Sequence, residues 1–285
     1  MTQLNGAANL YAALRDAGAA GVPLSDLLAA CDAQTAARLA SIDRLLLAAI
    51  HANAAGRPAI ATALALRDWL KHVAVAPVFL PTLAQSRTLA LLTGDQLPEM
   101  PAFSDRAFDA WFAAQGVDYA LGAYGEHRSV YETAQFADAA SPERRTVHLG
   151  IDVFAAKGTP VHAPLAGQVV TATYNPDPLD YGHTLILRHD GGPAPVFTLY
   201  GHLGPLPVAV GDWVTAGQPM ARLGDWHENG GWAPHLHFQI MTSLLDQSGN
   251  FFGVGHASLW DVWSDICPDP NLILRLDPAR YSCGA

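Results

Sequence analysis

Cysteine is scarce, charge is sparse and long apolar runs are missing, and each shortage removes a class of protein. The three cysteines, Cys31, Cys267 and Cys283, are far apart. They make neither a disulfide framework nor a cysteine-based zinc site, and read as reduced thiols with Cys31 in the core. Lys and Arg number 16 against 26 Asp and Glu, a net charge of −10 with no basic run. Nucleic acids and anionic membranes, which demand a basic face, are therefore excluded as partners. An integral membrane segment needs about 18 or more consecutive apolar residues. The best candidate, LLLAAIHANAAGRPAIATALAL, is broken by His51, Asn53, Arg57 and Pro58. The opening MTQLNGAANLYAALRDAGAAG lacks a basic region followed by an apolar stretch, so a cytoplasmic location is expected. Action outside the cytoplasm would require an export route the sequence does not display.

What is present is apolar. Half of the 285 residues are hydrophobic and 15% are charged, which excludes disorder and provides a core for one large domain or two modest ones. The chain has two grammars, and an α+β fold class follows from them. Residues 1–118 are Ala/Leu-rich with helical spacing. Ser25 is expected to cap DLLAACDA, Leu39, Ile42, Leu46 and Ile50 form one apolar stripe, and a third helix lies around Ala59 to Val73. Ser104 is expected to cap DRAFDAWFAAQG, where Phe108, Trp111 and Phe112 share a face and Gly116 is the stop. This helical N-terminal region carries no chemical constellation; a protein partner docking on its helices is one use for it. Residues 119–245 instead hold short β-rich runs cut by Gly and Pro, the pattern of an antiparallel sandwich or barrel. GDWVTAG reads as a hairpin corner, with Gly211 and Gly217 at its turn positions. Residues 246–285 form a tail expected to pack on the β domain.

Histidine concentrates in the β half. In His148-Leu-Gly-Ile-Asp152, alternation places positions 148 and 152 on one strand face, with Gly150 between them leaving room for an ion. In His235-Leu-His237-Phe238 the same parity aligns two imidazoles, and His202 ends the hydrophobic run LYGH. Two His and one Asp with a fourth place open to water is the composition of a catalytic zinc site, although Mn²⁺ and Fe²⁺ accept the same donors. Spare imidazoles are suited to moving protons at neutral pH.

The ordered set HLGID, LYGHL, GDWVTAGQPMARLG and PHLHFQI closely resembles the lysostaphin-type zinc metallopeptidases, peptidoglycan endopeptidases of the duplicated hybrid motif fold. The resemblance covers residues 121–243. It implies that one Zn²⁺ is held by His148, Asp152 and His237, that His235 acts as general base or water-orienting residue, and that His202 assists at the substrate carbonyl or oxyanion. It implies hydrolysis of a peptide bond in a peptidoglycan cross-link or muropeptide by metal-activated water. Tyr124-Gly-Glu-His-Arg128 loosely resembles the family's segment before its first ligand, a resemblance that implies a substrate-contacting role for Arg128. His183 falls where the family lines its cleft. Trp226 and Trp232, in the bulky WHENGGWAP approach to the second histidine pair, imply a cleft shaped for more than a bare glycine bridge, with Trp232 against substrate.

Two other readings use the same residues. A catalytically silent peptide binder or activator would have lost ligands, and all three are retained. A histidine phosphocarrier of the sugar phosphotransferase kind shares the H-x-G-x-D strand and the GD-x-V-x-x-GQ hairpin. It needs a second His upstream, where this chain has Thr133, and has no use for H-x-H.

Overall fold

A computed structural model describes residues 4–91, 99–128 and 137–277; Thr133 and Cys283 lie outside them. Five helices lead: α1 (Leu10–Ala19), α2 (Leu24–Ala29), α3 (Ala33–Leu39), α4 (Arg44–Ala54) and α5 (Ala63–His72). Short polar side chains start three of them, Asn9 accepting from Ala12 N–H, Asp32 from Thr35 and Asp43 from Leu45 and Leu46. The stripe Leu39, Ile42, Leu46 and Ile50 is buried, but it spans two helices, because Asp43 caps a new one after Ile42. Pro23 rather than Ser25 heads α2, its ring presetting the entry backbone.

Strand β1 (Thr88–Leu91) interrupts the helical half, followed by α6 (Ala107–Ala114). The Asp105 carboxylate, not Ser104, accepts from Ala107 N–H at the start of α6. Then come β2 (Tyr119–Gly122), β3 (Val147–His148), β4 (Ile151–Phe154), β5 (Pro160–His162), β6 (Gly167–Asn175) and β7 (Gly182–His189). They are followed by β8 (Val196–Leu203), β9 (Trp213–Val214), β10 (Pro219–Arg222), β11 (His235–Met241) and β12 (Val254–Gly255). The last described elements are α7 (Trp260–Ile266) and α8 (Asn271–Leu274).

Eight strands form one open sheet in the order β1-β2-β4-β11-β8-β7-β6-β9, antiparallel except for the parallel β1–β2 pair. Among the described residues it does not close into a barrel. Two small sheets, β10-β5 and β12-β3, attach to it. Gly211 and Gly217 take positive φ (97° and 81°) around β9, as the hairpin reading requires. No helix among the described residues is long and apolar enough to cross a membrane.

The two faces of the large sheet differ. Ile151, Val153, Leu185, Tyr200, Leu236, Phe238 and Ile240 point to one side and form a continuous core with β5, β10 and α5. On the other side, Leu199, Ile186 and Met241 pack under α1–α4 and α7, with Trp263 and Ile266 fully buried. Farther along that face Phe103, Phe108, Phe154, Trp226 and Trp232 form an aromatic cluster. Cys267 belongs to the helical core, whereas Cys31, expected inside, is only half-buried at its margin. Between the helical cover and the aromatic cluster the second face turns polar.

Candidate metal centre and cleft

The polar patch is set by register. Asp152 on β4 pairs with His237 on β11, Gly122 on β2 pairs with Asp152, and His237 pairs with Gly201 on β8. The row across the sheet thus reads Gly122, Asp152, His237, Gly201. The flanking glycines provide space: a methyl at Gly122 would sit 2.5 Å from an Arg128 nitrogen, and one at Gly201 would sit 2.5 Å from the Tyr181 ring. His148 reaches the row from β3, which pairs with β12 and is separated from β4 by a bend at Leu149–Gly150. The convergence of His148 and Asp152 therefore comes from a break in the chain and not from alternation along one continuous strand. Gly150 also differs from expectation. A methyl there would lie 2.5 Å from His237 Cε1, so the missing side chain makes room for an imidazole rather than an ion.

Three donor atoms meet at this point. His148 Nε2 lies 3.1 Å from His237 Nδ1, His237 Nδ1 lies 3.1 Å from Asp152 Oδ1, and His148 Nε2 lies 3.3 Å from Asp152 Oδ1. The outer nitrogens fix both tautomers: His148 Nδ1–H donates to Ala123 O at 2.8 Å, and His237 Nε2–H donates to Gln239 Oε1 at 2.9 Å. The remaining lone pairs face one another, with His148 fully enclosed and the other two nearly so. Arg128 Nη1 donates to the second Asp152 oxygen at 2.6 Å and Nε to Glu126 at 2.9 Å, turning Oδ1 toward the imidazoles. Burial alone would raise the Asp152 carboxyl, but His148, Arg128 and His235 hold it well below the usual carboxylate range.

Lone pairs packed this closely repel unless something positive lies among them, and a single proton can bridge only one pair. Donors about 2.0–2.1 Å from a tetrahedral ion lie about 3.3 Å from one another. The observed separations match that spacing, so the residues fit a divalent ion of zinc's preference. Among the described residues no fourth His, Cys, Asp or Glu joins the group.

Two further imidazoles stand beside it. His235 Nδ1–H donates to Ala233 O at 2.7 Å, its ring stacks on Phe154, and Nε2 lies 3.9 Å from Asp152 Oδ1. Burial pulls this imidazole down to about 4, the nearby Asp152 charge opposing the shift. His202 faces it with ring centroids 4.2 Å apart. Burial, then His235 and His237, depress His202 well below the ordinary histidine range. His202 holds a left-handed backbone (φ 63°), fixed by its N–H to Tyr181 O and its Nδ1–H to Asn229 O, both 2.8 Å. Such strain in a non-glycine residue persists where the surroundings over-determine it. The Asn229 side chain, fully buried, accepts from Gly231 and Trp232 N–H, so this residue folds the ENGGW loop with its amide oxygen and anchors His202 with its backbone carbonyl.

A cavity of about 370 Å³ opens on these groups. Phe103, Trp232, Phe251 and Phe252 form its apolar walls, and Asp177, Asp180 and Arg145 add charge. Trp232 and Arg128 both line it, two of the Arg128 nitrogens being engaged by Asp152 and Glu126. His183 does not line it; its ring packs against Tyr174. Trp226 is buried with its indole N–H on Asp109. Sequence reasoning missed Gln239, Asn229, Tyr181, Phe103 and the Phe251–Val254 wall. Only Gln239 had a readable signal, its place two residues beyond His237 on the same strand face.

Comparison with known sequences matches residues 146–249 to peptidase family M23. That stretch, somewhat more than a third of the chain, is similar to an M23 peptidase domain. Over 107 residues it is 36% identical to lysostaphin of Staphylococcus staphylolyticus, covering 36% of this chain and 20% of lysostaphin. Over 93 residues it is 36% identical to the DD-carboxypeptidase/endopeptidase Mpg of Neisseria meningitidis serogroup B, covering 33% of this chain and 20% of Mpg. The catalytic domain of lysostaphin from Staphylococcus simulans superposes with 26% identity and a TM-score of 0.35, over 53% of this chain and 96% of that domain. The chain thus spans about a fifth of the length of the two curated relatives. All five histidine and aspartate residues of the centre fall inside the M23 match, whereas Phe103, Arg128, Arg145 and Asn250–Val254 of the cavity lie outside it.

Proposed function

We propose that this protein is a zinc metalloendopeptidase that hydrolyses a peptide bond in peptidoglycan cross-links or muropeptides. One observation carries the reading: the lone pairs of His148, Asp152 and His237 converge within 3.3 Å, each held by a partner of its own. These three residues would hold the ion. When bound, zinc supplies Lewis acidity, polarising a carbonyl and making water more acidic.

The remaining work falls to the chain. His235, with Nδ1–H fixed on Ala233, presents the Nε2 lone pair toward the centre and stays neutral near pH 7. It accepts the proton lost by the attacking water. His202 in its fixed tautomer also presents a lone pair, so it aids an oxyanion or the departing amine only after it has itself taken a proton. The aromatic walls exclude water and favour a peptide bearing side chains over a bare glycine bridge. Full enclosure of His148, with Nε2 against His237, speaks against a phosphorylated histidine.

The test is metal analysis of purified protein together with digestion of a muropeptide library that includes a pentaglycine bridge. Wild type is expected to carry about one zinc and to cleave a stem-peptide or cross-link bond. His148→Ala is expected to lose both. A wild type that binds no zinc, or binds it and leaves every muropeptide intact, overturns the reading.

A further inference from the structure

His237 is the only one of the three donors whose outer partner is another side chain of its own strand. Its Nε2–H has two oxygens nearby: Gln239 Oε1 at 2.9 Å and the Tyr181 hydroxyl at 3.4 Å. The shorter contact has hydrogen-bond length and the longer lies at its limit. Gln239 is fully buried and cannot swing freely, because its Nε2 donates to Phe252 O at 3.0 Å and to Cys267 Sγ at 3.3 Å. The amide's orientation is thereby assigned: with nitrogen on a carbonyl, its oxygen must face His237. That oxygen can only accept, which places the imidazole proton on Nε2 and leaves Nδ1 bare toward His148 and Asp152.

Resting on the metal reading above, we propose that Gln239 is a positioning residue that sets zinc affinity, and that the tail carrying Phe252 and Cys267 is part of the metal centre. Both tail residues lie outside the M23 match. The chain uses them to lock an amide that in turn locks a ligand's tautomer and ring plane. Loss of such an outer partner weakens metal binding by about 10- to 100-fold.

The experiment measures zinc dissociation constants of the full chain by competition with a chromophoric chelator, beside the melting temperature of the metal-free protein. Gln239→Leu removes the acceptor and both donors, and is expected to lower zinc affinity by about 10- to 100-fold. Gln239→Glu keeps an acceptor for His237 but sets an oxygen against Phe252 O. It is expected to melt lower without metal while keeping wild-type or tighter zinc affinity. A merely structural residue would move affinity and melting together in both variants, and that result overturns the inference, as does wild-type affinity in Gln239→Leu. Should Gln239→Leu fail to fold, Gln239→Glu decides alone: retained affinity at reduced stability supports the role, and parallel loss overturns it. A wild type that takes up no zinc overturns the metal reading and this inference together, whereas tight wild-type binding unchanged in both variants overturns only the latter.

Discussion

The same face of one sheet is covered in two ways. Under α1–α4 and α7 it is closed by Leu, Ile, Tyr and Trp side chains that need only fill space, whereas around Asp152 and His237 nearly every atom has an assigned partner. Apolar packing tolerates substitution by repacking, because its energy follows area and volume. The polar patch has no such latitude: a one-residue slip of β11 against β4 would send His235, His237 and Gln239 to the opposite face. The molecule therefore places stability and chemistry in adjacent regions with different tolerance. Substitutions can test that separation.

The largest expected effect is on the helical side. Leu14 is buried in the centre of that packing, and Leu14→Ala should cost about 2–5 kcal/mol of unfolding free energy. Chemical denaturation measures the loss. Zinc affinity below the transition should stay at the wild-type value; a parallel fall would show that the helical cover helps hold the ligands and would break the comparison.

Acidification should strike the polar side. His235 titrates near 4 in the fold against an ordinary value of 6.5, so the unfolded chain takes up its proton first. Stability from this group is whole above about pH 6.5 and is lost as pH falls toward 4, amounting to about 3 kcal/mol for a fully buried ring. Burial shifts His148 and His202 the same way. Denaturation of metal-free protein from pH 7 to pH 4 should show the slope, and His235→Gln should flatten it. An equal slope in both proteins would place the pH sensitivity elsewhere.

Gly150→Ala sharpens the comparison at a single methyl. The added carbon would sit 2.5 Å from His237 Cε1 and 2.9 Å from Phe238 O, and the ring must yield before the backbone. Overpacking of this kind costs about 1–3 kcal/mol, which falls on His237 placement as about 10- to 100-fold weaker zinc binding. Gly21→Ala, in open space beyond α1, should leave zinc binding alone despite its positive φ. Equal zinc affinities for the two variants would contradict the close-approach argument.

The sequence was most legible where chemistry and period coincide. His235 and His237 could be placed by parity along β11, since a two-residue repeat needs no knowledge of the rest of the fold. His148 and Asp152 were instead picked out by residue type and spacing, although the chain breaks between them. Caps were legible as a type but misplaced by one or two residues at Ser25 and Ser104, where a proline or the neighbouring aspartate competed for the same turn. Phe103, Arg145 and Phe251–Val254 gave no signal, because they meet the centre through tertiary packing alone. The β3–β12 pairing that brings in His148 spans more than 100 residues, and two-residue strands leave no periodicity to read. The parallel β1–β2 pair was hidden for a related reason: TLAL is too short to separate strand from helix by pattern.

The smallest effect tests whether charge contributes to the helical cover as it does to the metal face. Arg15 on α1 meets Asp261 on α7 through two nitrogens at 2.7 Å, and both side chains are partly exposed. On the metal face the Arg128–Asp152 pair is buried and orients a ligand oxygen. Here the pair only ties two helices already joined by Leu14, Val262 and Trp263. Solvent screening limits such a pair to less than about 1 kcal/mol. Arg15→Ala should therefore shift the denaturation midpoint slightly at low salt and leave no difference at high salt, where the ions already screen the wild-type pair. A salt-independent loss would instead assign the contribution to the Arg15 alkyl stem packing on α7, and the helical cover would then be apolar in its energetics throughout.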